Sequence, residues 1–436
     1  MPWGPYRRLL RLPGVLPLVL VALVARIPHA MTGVVLTLHV VRRMGLGYGP
    51  AGVVAGALTV GIAIGAPWRG RRVDRLGLRR ALIPSVVVES AVWVLAPRLG
   101  YGALIVAVFL AGVFLVPVFS VVRQSLAVLV PPDQQRTAFA LDSVGGELTF
   151  MLAPTIGVLL ATQVSTAAAL TVIGVATVGA GLLLMWFNPP TTSRGTPTPL
   201  DAVAPAAAAP HASGPRDARD ARDAPDAADA PVARGAIGYL LAPAVLVVLA
   251  AGVAAALVLN GTDVAIIAAL NDAGHAGSVG WVIALWCAGS VVGGLVYGAG
   301  RRDLHPLVLV ALLSACTLPA ALATTPAQLA VAVVLAGVPC AAALSAINAA
   351  LVAAVPEARR GEVMGWSGTA ATVGAAIGAP LVGLVVDHRG AQIGFLAAGG
   401  AGLALALGGL LVLRVVRARI PAPPVALAVT PRRPPG

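Results

Sequence analysis

The sequence predicts an all-α membrane protein, with twelve transmembrane helices arranged as two pseudo-symmetric six-helix bundles. Three observations carry this expectation. Of 436 residues, 58% are apolar and only 11% charged, against about 45–50% and about 25% in a soluble domain. Twelve apolar stretches of membrane-spanning length follow one another along the chain. A proline- and alanine-rich segment divides them six and six. Seventeen acidic and thirty basic residues cannot coat the two or three domains that a soluble chain of this length would form. A soluble enzyme, a disordered chain and a nucleic-acid binder are therefore excluded, despite a net charge of +13. Cys287, Cys316 and Cys340 all sit in apolar runs. They have neither metal-ligand spacing nor the pattern of a disulfide framework, so no metal and no cofactor is expected.

A span needs about 20 mostly apolar residues. Breaks at charged or turn-rich positions place six spans at 14–41, 48–68, 79–97, 101–122, 137–162 and 166–187. Six more fall at 238–270, 278–299, 304–323, 327–351, 361–385 and 391–413. The first and seventh are long, which suits a kink or an end outside the bilayer. The first follows Arg7, Arg8 and Arg11, as a signal peptide would. It lacks a small-residue cleavage site and precedes eleven further spans, so an uncleaved first helix is expected.

Arginine placement sets the orientation. With the N-terminus cytoplasmic, twenty-five arginines fall inside and four (Arg42, Arg43, Arg98 and Arg389) outside. Without the linker and the C-terminal tail, where the rule is weaker, the split is still fifteen to four. The expected location is the plasma (inner) membrane, with both termini cytoplasmic.

The organisation reads as an N-terminal bundle (1–187), a linker (188–235), a C-terminal bundle (236–419) and a tail (420–436). The linker repeats Arg216-Asp217-Ala218, Arg219-Asp220-Ala221 and Arg222-Asp223-Ala224. Such a segment buries too little apolar surface to offset its ordering entropy, and reads as a disordered cytoplasmic tether. A shift of 225 aligns Ala111-Gly112-Val113 with Ala336-Gly337-Val338, and Val130-Pro131 with Val355-Pro356. A shift of 228 aligns Gly33, Gly52, Gly61, Gly65 and Gly70 with Gly261, Gly280, Gly289, Gly293 and Gly298. Two near-equal offsets at matching helices point to a duplication. Parallel repeats about an axis along the membrane normal suit rocking of one half against the other.

The turn between spans two and three reads Gly70-Arg71-Arg72-Val73-Asp74-Arg75-Leu76-Gly77-Leu78-Arg79-Arg80. It resembles the signature G-x-x-x-D-R-x-G-x-R-R of the major facilitator superfamily. The resemblance covers the chain by topology and about fifteen residues by motif. It implies an alternating-access transporter in which Asp74, Arg75 and Arg79 act as an inner-gate latch. Arg71, Arg72 and Arg80 read as simple cytoplasmic anchors. The residues agree on physical grounds. Gly61 and Gly65 permit close helix approach. Gly70 and Gly77 permit tight turns. Asp74 is placed to meet the positive N-terminus of the third helix or a neighbouring arginine. The corresponding stretch of the second half, Gly298-Ala299-Gly300-Arg301-Arg302-Asp303, is degraded.

In the fifth span, Ala153-Pro154-Thr155-Ile156-Gly157-Val158 is similar to the antiporter motif of drug-exporting members of that family, with two of its glycines replaced. Gly378-Ala379-Pro380 in the eleventh span is related. A proline bend flanked by small residues reads either as a moving seam or as ordinary packing.

Ionisable groups inside spans are costly and face a cavity or a partner. Arg26 and Glu147 lie at matching depths and form a candidate pair, structural or proton-responsive. Asp142 lies at the depth of Arg123 and reads as a bridge at the inner mouth. Five residues, about 140° of helix rotation, separate it from Glu147. Glu89 reads equally as an alternative proton carrier or as a group paired within the first half. Asn260-Gly261-Thr262-Asp263 reads either as a polar break in the seventh helix lining the outer pathway or, with the span ending near Leu259, as loop. Asn348 occupies the place of Arg123 under the 225 shift. His29 and His39 read as packing or interfacial residues. The 4% aromatic content argues against a stacked-aromatic sugar site.

The leading expectation is a secondary transporter exporting a small organic compound against proton entry. An uptake permease or symporter, and a non-transporting sensor or scaffold, are the alternatives. With no lysine in the chain, an ATP-binding loop of the G-x-x-x-x-G-K-[ST] type is absent. No catalytic constellation appears in the loops, so an enzyme is not expected. The expected partners are a small-molecule substrate, protons and the lipid bilayer, with no nucleic acid, and the chain is expected to be a monomer.

Overall fold

The computed structural model describes residues 3–192, 238, 240–275, 278–300 and 302–419. Most of the expected tether and the tail at 420–436 lie outside these residues. In lipid every backbone polar group must be satisfied within the chain, so the apolar runs fold as helices. Six spanning helices make up the first half: α1 (Val15–Arg43), α2 (Pro50–Leu76), α3 (Leu78–Arg98), α4 (Tyr101–Leu129), α5 (Pro132–Val164) and α6 (Thr166–Phe187). The second half holds α7 (Pro243–Asp272), α8 (Val279–Ala299), α9 (Pro306–Leu322), α10 (Pro326–Ala354), α11 (Glu357–Arg389) and α12 (Ala391–Val415). Eleven of these are long and apolar enough to cross a bilayer. The twelfth, α9, lies at the short end of the spanning range of about 17–25 residues.

Local signals set several ends. Ser165 Oγ accepts from Ala168 N at 3.0 Å to start α6, and Thr325 Oγ1 accepts from Gln328 N at 3.3 Å to start α10, both as N-caps. Gly77, at φ +74°, turns the chain sharply between α2 and α3. The residues before the first span are helical as well. Gly4–Leu10 forms a short helix that buries Tyr6 and Leu9, an element with no counterpart among the expected spans.

The two halves are packed alike. Within the first, α1 lies against α5 and α6, α2 against α4, and α3 against α6. Within the second, α7 lies against α11 and α12, α8 against α10, and α9 against α12. The repeated glycines mark the same crossings. A Cβ on Gly61 would strike Phe109 and Gly112 of α4, and one on Gly289 would strike Val334 of α10. Gly112 and Gly337 complete the two contacts from the other side, against Leu58 and Trp286. Between the halves the main packing is α2 on α11 and α5 on α8, again exchanged by the pseudo-symmetry.

One expectation about helix continuity is corrected. The polar patch Asn260–Asp263 does not break α7, which is helical throughout Pro243–Asp272. Asn260 Nδ2 donates to Ala256 O of its own helix at 2.8 Å. Gly261 is the point where Val382 and Ala398 pack closely. The breaks lie instead in α4, at 115–117, and α10, at 338–339. Pro117 and Pro339 sit within them, and neither can supply an amide hydrogen. In α4 the freed carbonyls are satisfied by the buried Arg69 of α2. Its Nη1 donates to Gly112 O at 2.8 Å and to Val113 O.

Candidate functional site

One end of the bundle, here the arginine-rich face, carries the α2–α3, α4–α5, α8–α9 and α10–α11 turns. The halves meet there. Asp74, near the end of α2, accepts from Gly361 N and Glu362 N, each at 2.9 Å. Its carboxylate thus caps the N-terminal turn of α11, where unpaired amides and the helix dipole favour a negative charge. The expected helix-end partner is the right kind but the wrong helix: it is α11 of the other half, not α3. Arg71 Nε lies 3.1 Å from Glu362 Oε1, and Arg359 Nη1 lies 3.2 Å from Glu362 Oε2.

Gly70 is helical, not a turn. A Cβ there would strike the Gly361 carbonyl, and one on Gly365 would strike Ala66 and Pro67. Further along the seam, Thr369 Oγ1 donates to Ala63 O at 2.8 Å. The latch motif is therefore redistributed. Asp74 joins the halves, whereas Arg79 donates to Met185 O at 2.8 Å and to Trp186 O, within its own half. Arg75 is exposed. Arg71, expected to be a mere anchor, spans the seam.

The α5–α8 side of the same face is closed by Arg136. It pairs with Asp303 at 2.9 Å and donates to Gly300 O. Thr137 Oγ1 donates to Gly298 O at 2.7 Å, and Tyr6 OH to Leu295 O at 2.7 Å.

Deeper in the first half, the expected Arg26–Glu147 pair is not formed. Arg26, 2% exposed, pairs with Asp142 Oδ1, and its Nη1 donates to Asp142 O at 3.2 Å. Five residues of α5, or ~7.5 Å of rise, separate Asp142 from Glu147. The long arginine stem reaches that far toward the polar end of the bundle. Arg123 Nε shares the same carboxylate, 3.2 Å from Oδ2. Both guanidinium groups also lie over Phe119, at 4.4 Å and 5.7 Å from the ring centre. Phe119 stacks on Phe150 with centroids 6.0 Å apart, and His29 meets it edge-on at 5.6 Å. Low aromatic content says nothing about clustering, and this stack was not legible in it.

Glu147 points the other way, across the midline, where Cys340 Sγ of α10 lies 3.4 Å from its Oε1. Glu89 receives the indole N–H of Trp93 one turn along α3, and its Oε1 is buried without a partner. Asp263 is half-buried and Asn348 buried. Neither Glu147, Glu89 nor Asp263 belongs to an ion pair among the described residues.

The Pro154–Gly157 and Gly378–Pro380 elements lie within the halves. Gly157 admits Met31 and Val35 of α1, and Gly378 admits Leu257 of α7. They fix the α1–α5 and α7–α11 crossings, not the boundary between halves.

Two six-helix halves, clasped at one face and carrying buried charges at their boundary, define a multi-pass membrane protein of the transporter class. A family model described as Major Facilitator Superfamily matches residues 18–302 and 248–434, and the chain belongs to that superfamily. Among solved structures, the human organic anion transporter MFSD10 (TETRAN) is 19% identical, with a TM-score of 0.63 over 93% of this chain and 99% of that one. The proton:xylose symporter XylE, bound to 6-bromo-6-deoxy-D-glucose, is 14% identical, with a TM-score of 0.64 over 90% and 94%. At these identities the likeness is one of fold. No curated protein matches the chain significantly.

Proposed function

We propose that the protein is a secondary active transporter of the plasma (inner) membrane that works by alternating access, exporting a small organic compound in exchange for protons. The observation that carries this reading is Glu147. It is a buried carboxylate outside any ion pair of the described residues, projecting from one half into the other next to Cys340. A carboxylate at a boundary between two moving bodies changes its solvation when they part. Its proton occupancy and their separation are then linked. The Asp74–α11 contact supplies the closed state that such a cycle needs. The arginine-rich face is cytoplasmic in this reading, by the positive-inside rule, so the arrangement clasped at that face belongs to the outward-facing side of the cycle. The partial antiporter motif favours export over uptake.

The test is flux in proteoliposomes with an imposed pH gradient, across a panel of organic cations, anions and neutral compounds. Wild-type protein is expected to move at least one compound against its gradient as protons run down theirs. Glu147→Gln is expected to abolish pH-driven accumulation while leaving folding and downhill exchange intact. Normal coupling in that variant would overturn the role of Glu147. Accumulation in the same direction as proton flow would favour an uptake symporter, and absence of any flux a sensor or scaffold.

A further inference from the structure

A cavity of about 810 Å³ opens at the arginine-rich face, away from the seam at Asp74. Its walls come from the short helix Gly4–Leu10, the start of α5 and the end of α8. Arg7, Arg8, Arg11 and Arg136 line it, against a single acid, Asp133. Arg7 and Arg8 are separated from Arg11 by four and three residues, so the three guanidinium groups share one side of the short helix. Its other side is pinned. Tyr6 and Leu9 are buried, and Tyr6 OH is bonded to Leu295 O of α8.

Like charges at this spacing repel one another. None of the three is in an ion pair among the described residues. The Arg136 Nε and Gln134 Oε1 atoms are buried at the cavity without hydrogen-bond partners. A concave site with three arginines outside any ion pair of the described residues, beside the unused Nε of an Arg136 whose other nitrogens are held by Asp303 and Gly300 O, matches a tetrahedral oxyanion, which guanidinium groups bind through paired, charge-assisted hydrogen bonds.

We propose that this cavity binds a phosphate-bearing anion, either the headgroup of an acidic phospholipid or a free phosphate compound, and that occupancy holds the two halves together at this face. The second clause follows from the walls. Arg7, Arg8, Arg11 and Arg136 belong to the first half, and Gly298, Ala299 and Gly300 to the second. A ligand that needs both walls binds the clasped arrangement better than the parted one, and shifts the population toward it. The binding does not depend on the transported compound or on proton coupling.

The experiment uses the purified full chain and two probes. Pyrophosphate is titrated calorimetrically at fixed ionic strength, and retained phosphatidylglycerol is counted by native mass spectrometry. Wild-type protein is expected to bind at least one probe saturably. Saturable pyrophosphate binding alone assigns the free anion, and retained phosphatidylglycerol alone assigns the lipid. The double variant Arg7→Gln/Arg11→Gln is expected to weaken binding about tenfold or more, as loss of two charge-assisted partners implies. The double variant Arg80→Gln/Arg414→Gln removes the same charge from exposed positions of the same face outside the cavity. It is expected to stay within about twofold, since screened distant charges contribute little. All four arginines are exposed, so neither variant threatens the fold. Equal weakening in both doubles, or no binding of either probe to wild type, overturns the site. Asp74→Asn, which loosens the same face, is expected to lower the affinity. An unchanged affinity in that variant overturns the coupling to closure.

Discussion

Gly361→Ala is expected to lower transport about a hundredfold and to leave the arginine-rich face open. A Cβ at this position would collide with Asp74 Oδ1 and with the Gly70 carbonyl. The second obstacle is backbone in the middle of a helix and cannot rotate aside. The Asp74 carboxylate must withdraw from Gly361 N and Glu362 N, and each hydrogen bond to a charged group contributes about 1.5–3 kcal/mol. Losing the pair therefore shifts the equilibrium between clasped and parted halves by roughly 3 kcal/mol or more, on the order of a hundredfold in population. Gly368→Ala, two turns along α11, meets nothing nearer than Ala66 Cβ at 3.9 Å and is expected to transport normally.

Cys340 reports the state directly, because it is buried behind the clasp beside Glu147. In a background with Cys287 and Cys316 replaced by serine, a membrane-impermeant maleimide added from the arginine-rich side is expected to label Gly361→Ala faster than wild type. Equal labelling together with normal flux would show that α2 and α11 pass each other without this contact closing.

Which of these features the sequence announced depends on the range of the interaction. The twelve spans and the repeated glycines were legible because lipid enforces helices and helix crossings demand small residues, both local rules. Gly77 was legible for the same reason. Asp74 was readable as a helix-end acid, but the identity of the helix was not, since α11 begins nearly three hundred residues later. Gly361 and Glu362 do not stand out by residue type, although Gly361 and Gly365 repeat the four-residue glycine spacing of Gly61 and Gly65. Depth matching failed for Arg26 because it compared backbone positions, whereas a guanidinium acts at the end of a long flexible stem. Asn260–Asp263 looked like a break because polar residues and glycine usually mark one. In α7 the asparagine turns back on its own helix and the glycine receives a neighbour. The breaks in α4 and α10 fall in apolar sequence, where only the paired prolines and the distant Arg69 disclose them.

Asp142→Asn is expected to be the most damaging single substitution in the first half. One carboxylate serves two guanidinium groups, the buried Arg26 on Oδ1 and the partly buried Arg123 on Oδ2. The wild-type cluster carries a net charge of +1, and the asparagine variant carries +2 in a region where few polar groups are available. Breaking a buried pair by removing one partner costs about 3–5 kcal/mol, because the other charge is left uncompensated. Here two are left, and the amide of asparagine turns a donor toward one of them. The expected outcome is a loss of folded yield or of flux exceeding about a hundredfold, read by size-exclusion profile, thermal unfolding and transport. Arg26→Gln removes a charge but leaves Asp142 paired with Arg123, so it is expected to be milder. The double variant Arg26→Gln/Asp142→Asn restores the net charge of +1 and is expected to recover folded yield relative to Asp142→Asn alone. The resulting coupling between the two sites should lie within the range of about 0.5–3 kcal/mol seen for residues in one network. Recovered folding with transport still absent would separate two roles, since Asp142 would then be required for the cycle itself as well as for neutralising Arg26 and Arg123. Failure of the double variant to recover at all would mean that the cost lies with Arg123, which the double variant still leaves without its carboxylate.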